Sequence, residues 1–207
     1  MTTQIFVRPL GNCLQLIPLP IPSPCIKQSD ICIQQLQNFL NAVKPSTTGG
    51  CITSDFALQV NLYAGDGDVN SGFLDPSLDY RTQFILTVFN DMNLTLPPLA
   101  IYNLCQVGII QRVGPINDDQ LTCIINTIPS TFNRCPDSLA SQQLEAAATG
   151  LISTTDPVNI NSENGSTLGP SFIRAVKPGI IITTQPGTAP YVAVIAYSTC
   201  FISSIRT

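Results

Sequence analysis

Asp66-Gly-Asp68-Val-Asn70-Ser-Gly72 sets three oxygen-bearing side chains at alternate positions, the rhythm with which a calcium-binding loop opens. Such loops continue with a glycine at the sixth position and a bidentate glutamate at the twelfth. Here Gly72 falls one place late and Ser77 stands where the glutamate belongs, with Asp75 and Asp79 as the nearest substitutes. Calcium held by Asp66, Asp68 and Asn70 is therefore one expectation. Its competitor is a plain hairpin turn between extended segments at 58–64 and 80–89, because Asp-Gly is also a turn signal.

The pairs Asp66/Asp68, Asp75/Asp79 and Asp118/Asp119 are the remaining candidates for acid–base work, since the chain has no histidine. Paired carboxylates can divide the roles of acid and base when their environments differ. Each pair, however, lies among Gly, Pro or Asn, where aspartate ordinarily caps or turns the backbone. No Gly-x-Ser-x-Gly elbow occurs, and a cysteine nucleophile would lack its usual imidazole partner. An enzyme is not expected on these grounds. A hydrolase running on an Asp pair is the third of three functional readings.

The eight cysteines are Cys13, Cys25, Cys32, Cys51, Cys105, Cys123, Cys135 and Cys200. None forms a Cys-x-x-Cys pair, so the spacing does not suit zinc. They read as disulfide candidates, or as small buried thiols. Connectivity cannot be derived from eight positions in one chain. Cys13 and Cys25 bracket a proline-rich stretch and Cys200 lies near the end, places from which a bond can pin an arm to its own body or to a neighbour.

The elements that would position these groups follow from periodicity and punctuation. Residues 1–26 read as an extended arm, with Pro18, Pro20, Pro22 and Pro24 at every second place. In a strand those prolines strip the N–H donors from one edge and leave the other able to pair. The alternative is a stiff polyproline tether. Residues 27–207 read as one β-rich domain. Within it, 28–43 has Ile33, Leu36, Leu40 and Val43 on one helical face and a stop at Lys44-Pro45. Further helices are expected near 118–126 and 138–152, and strands at 56–63, 80–89, 103–113, 172–176, 180–184 and 191–202. The fold class is mainly β: an antiparallel β-sandwich, with a jelly roll as one form of it, carrying two or three inserted helices.

Composition narrows the function. Charged residues are 11% of the chain and hydrophobic ones 44%, against roughly 25% charged in an ordinary soluble domain. The longest apolar runs, 94–101 and 191–197, are far short of the roughly 20 residues a spanning helix needs. Nine Lys and Arg are scattered singly in a chain of net charge −4, which leaves no basic stripe for nucleic acid. Greasy, charge-poor surface that enters no membrane is expected to be covered by protein. The N-terminus shows no secretory pattern, so oxidised cysteines would be acquired in a virion, outside the cell or on a spore surface. The first expectation is thus a self-assembling structural subunit of a shell or fibre, a viral capsid component ahead of a spore-surface or appendage protein. It would associate with itself through sandwich faces and the arm, without a cofactor. The second is an extracellular, calcium-dependent, lectin-like binding module.

Overall fold

In the computed structural model of the chain, the described residues are 26–46, 49–53, 58–64, 69–135, 138–163 and 168–207. Residues 1–25 of the proposed arm, with Pro18, Pro20, Pro22, Pro24, Cys13 and Cys25, lie outside them, as do Asp66 and Asp68.

The body is mainly β. Ten strands, β1 (Leu58–Ala64), β2 (Val69–Leu74), β3 (Ile85–Phe89), β4 (Pro98–Asn103), β5 (Val107–Ile116), β6 (Asn159–Ser162), β7 (Phe172–Lys177), β8 (Ile180–Gln185), β9 (Tyr191–Ser198) and β10 (Ile202–Arg206), accompany three helices, α1 (Gln28–Val43), α2 (Asp118–Thr127) and α3 (Leu139–Thr149). Eight strands form one sheet in the order β4-β3-β2-β1-β5-β9-β8-β7, and β10 pairs with β6 in a second, two-stranded sheet. All the ladders are antiparallel.

Periodicity explains the arrangement. In β1, Leu58, Val60, Leu62 and Ala64 are all buried while the residues between them are not, the alternation of a strand with one core face. β8 and β9 are instead buried almost throughout, which is why Ile180-Ile-Ile and Ala193-Val-Ile-Ala read as continuous apolar runs. Helix α1 lays Leu36, Phe39, Leu40 and Val43 on the inner sheet face, and α2 adds Leu121 and Ile124 to the same core. Two buried glutamines of α1 are satisfied by backbone carbonyls: Gln35 Nε2 donates to Pro129 O (2.9 Å) and Pro178 O (2.8 Å), and Gln37 Nε2 to Gln83 O (2.7 Å). Lys44, restricted by the following proline, turns to an extended conformation and ends the helix.

The outer sheet face is covered unequally. Over β5, β9, β8 and β7, the side chains of Ile109, Ile173, Ile181 and Ile195 pack against Ile160 of β6 and Ala148 of α3. Where a sandwich would place a second large sheet, the described residues place helices on one face and the short β6–β10 pair with α3 on the other.

Several boundaries differ from the sequence expectation. The segment 80–89 is not one strand: Tyr80–Thr82 is a 3-10 turn capped by Asp79, and only Ile85–Phe89 is extended. The expected strand at 103–113 divides at a second 3-10 turn, Leu104–Gln106, in which the Cys105 amide donates to the Asn103 side chain. The expected strand at 191–202 ends at Ser198, and the tail returns as β10. Strands β2 and β4 lie where no strand is expected from the sequence.

Candidate functional site

The cysteines fasten the body at two described places. Cys32 of α1 is bonded to Cys200, just beyond β9, across 168 residues, and Cys51 to Cys123 of α2 across 72. Cys135 is disulfide-bonded as well. Cys105 carries a free thiol, half-buried, and burial pushes that thiol above its ordinary range. A cavity of about 20 Å³ is lined by Cys105, both partners of the Cys32–Cys200 bond, Leu36 and Phe201. It has room for about one water molecule and none for a metabolite.

Of the calcium candidates, Asn70 stands within β2, in register with Leu62 of β1. Its amide lies against the Tyr102 hydroxyl. The hairpin partner of β1 is therefore β2, with Tyr63 opposite Val69, and not the segment at 80–89. Among the described residues no cluster of three or more His, Cys, Asp or Glu side chains converges on one point.

Among the described residues, Asp75, Asp79 and Asp118 each accept hydrogen bonds that hold the fold. Asp75 Oδ1 accepts from the Ser77 amide (2.8 Å), an aspartate turn. Asp79 caps the 3-10 turn and pairs with Arg81 (2.8 Å). The hydrogen bonds from the Arg81 side chain and backbone hold its carboxyl well below the usual carboxylate range. Asp118 Oδ1 accepts from Tyr191 OH (2.5 Å), which in turn accepts from Arg174 Nη2 (2.9 Å). Burial, and then the bond to Asp118, push the Tyr191 hydroxyl above its ordinary range. A tyrosine so held keeps its proton, and the trio links α2, β7 and β9.

Glu145, a buried charge, is also structural in its contacts. Glu145 of α3 pairs with Arg134 (2.5 Å), both side chains being 11% exposed. Its other oxygen accepts from the Gly179 amide (2.7 Å) and Thr199 Oγ1 (3.2 Å). One carboxylate thus joins α3, the β7–β8 turn and the residue preceding Cys200.

The feature with no counterpart elsewhere in the described structure is the β3–β4 hairpin. In its ladder Ile85 faces Asn103 and Thr87 faces Ile101, and Phe89 pairs with Phe73 of β2. The inner residues Leu86, Val88 and Tyr102 are buried. Alternation then sends Ile85, Leu99 and Ile101 to the outer face, over which no described element lies. Among the described residues, ten large hydrophobic side chains are exposed, and six of them, Phe84, Ile85, Met92, Leu96, Leu99 and Ile101, belong to this stretch. Ile101 is 68% exposed and Ile85 58%. Residues 84–106 contain a single charge, Asp91, and it is spent on the amides of Thr95 and Leu96 within its own turn. A scattering of exposed apolar residues is ordinary; a contiguous set at one sheet edge is the usual mark of an interaction surface. The run 94–101 carried that signal in the sequence, as an apolar stretch without charge.

Comparison with protein-family models, with curated proteins and with solved structures finds no match. Among the described residues no helix is long and apolar enough to cross a membrane.

Proposed function

We propose that this chain is a structural building block of a protein shell or fibre, associating with copies of itself, with a virion capsid as the first setting and a spore surface or appendage as the next. The observation that carries this reading is the exposed apolar face of the β3–β4 hairpin, whose single charge, Asp91, is bonded within its own turn. Burying its apolar side chains against a partner gains roughly 25 cal/mol per Å², and a charge-poor chain offers little else with which to bind. The disulfides suit the same role. They cross-link the body against unfolding in an oxidising setting. The N-terminal arm with Pro18, Pro20, Pro22 and Pro24 is a further fastening in this reading, through a strand edge that prolines prevent from growing.

Molar mass by light scattering, over a range of concentrations and with and without reductant, tests the proposal. A mass that rises with concentration above the 22.2 kDa monomer supports it. A monomer at every concentration and redox state overturns it.

A further inference from the structure

We propose that two copies of this chain join edge to edge through β4, in antiparallel register about a twofold axis at Ala100, so that their eight-stranded sheets run on as one. This rests on the reading of the chain as a self-associating subunit and names the surface and geometry of its first contact.

The backbone defines the open edge. Leu104 N donates to Phe84 O (2.8 Å), and the register runs Ile85↔Asn103, Leu86↔Tyr102, Thr87↔Ile101, Val88↔Ala100. Hydrogen-bonded pairs alternate along an antiparallel ladder. Tyr102 and Ala100 therefore turn their backbone groups toward β3. Leu99 and Ile101 turn theirs outward, where β4 is the last strand of the sheet among the described residues. Only the start of the strand, at Pro97-Pro98, lacks donors, a position where proline is tolerated.

The two edges of the sheet differ in chemistry. β7 carries Arg174 and Lys177, charges of the kind that protect an edge from addition. β4 carries none. In its sequence, Pro-Leu-Ala-Ile-Tyr-Asn, Leu99 and Ile101 present apolar side chains on the outer face and Asn103 a neutral one.

That chemistry selects a second copy as the occupant. A charged partner would find no opposite charge to engage between residues 84 and 106 except Asp91, already bonded to its own turn. A copy meets no like charge across the axis. With Leu99 of one subunit opposite Ile101 of the other, the outward backbone groups exchange about four hydrogen bonds, and the two apolar side chains become cross-strand neighbours. Ala100 then opposes Ala100 of the copy in a non-hydrogen-bonded pair, where Cα atoms approach to about 4.5 Å. A small side chain is what that close approach accepts.

The full-length chain carrying Ala100→Cys provides the test, with Ile101→Asp as a second variant and Thr155→Cys as a control on a distant exposed loop. A Cα separation of that size lies within disulfide range. Under mild oxidation Ala100→Cys is expected to give a covalent dimer on non-reducing electrophoresis, abolished by reductant and absent from Thr155→Cys. Ile101→Asp, at a site exposed enough to spare the fold, is expected to raise the dimer dissociation constant at least about tenfold by light scattering, a cost of about 1.4 kcal/mol. Assembly that persists with no cross-link at position 100 overturns the β4 interface and leaves the structural role standing. Chains that stay monomeric, wild type included, overturn both.

Discussion

Replacing both Cys32 and Cys200 by alanine is the sharpest perturbation of the body. The bond spans 168 residues. Loop-closure entropy for a ring of that size is worth about 5 kcal/mol at 25 °C. The ring is already shortened, because Cys51–Cys123 lies within it and spans 72 residues. Subtracting that inner loop leaves roughly 96 residues to close, and the same relation gives about 4.7 kcal/mol. Lost sulfur packing at Cys32, only 2% exposed, adds to the cost. The expected outcome is a fall of about 3–5 kcal/mol in unfolding free energy, read from guanidinium unfolding, with a larger m-value as the freed unfolded chain expands. The double variant is needed because Cys105 lines the same cavity, so a single replacement would leave two thiols there to pair. A loss below about 1 kcal/mol, with Cys51–Cys123 verified intact, would refute the reasoning. It would mean that α1 and the C-terminal strands are held by packing alone, or that the unfolded chain keeps them together.

Three other expectations concern titratable groups. Glu145→Ala should cost about 3–5 kcal/mol by leaving Arg134 buried without its partner, whereas Glu145→Gln, which can still accept from the Gly179 amide, should cost less; urea midpoints of the two variants check the order. Burial holds Tyr197 at about 12 and raises Tyr80 further. Both ionise near 10 once unfolded, so their contribution is fully present below pH 10 and is lost as pH rises through the folded values. Stability should fall by about 1.4 kcal/mol per pH unit for each tyrosine between pH 10 and 12, and comparing Tyr197→Phe with wild type at pH 9 and pH 11 isolates its share. The raised Cys105 thiol should be alkylated by iodoacetamide several-fold more slowly at pH 8 than a free cysteine, and mass mapping of the labelled peptide reports the rate.

The parts of the fold legible in the sequence are those where burial and period agree. Helix α1 declares itself through Ile33, Leu36, Leu40 and Val43, and its end through Lys44-Pro45. β7 and β8 are bounded by Pro178-Gly179 and Pro186-Gly187. Elements went unread where polar residues sit in a ladder for reasons of pairing. Asn70 and Ser71 of β2 resemble a loop, and Gly72 is required because a Cβ there would meet Phe89 O at 2.5 Å. β4 escaped notice because its outward residues are as apolar as its inward ones, which removes the alternation that marks a strand. The pairing of Cys32 with Cys200 depends on a Cα separation of 6.3 Å that no spacing in the chain encodes. The candidate surface was visible only as a charge-free run. Its meaning depends on β4 being the last strand, a fact of topology.

The contrast between the sheet's two edges has a consequence for architecture. In the language of polymer chemistry, a sheet with one reactive end and one blocked end is monofunctional: it can couple once and then terminates. The proposed pairing through β4 would therefore yield pairs and not ribbons. A shell or fibre built on it would have the pair as its repeat unit and would take its second kind of bond from a surface other than a sheet edge.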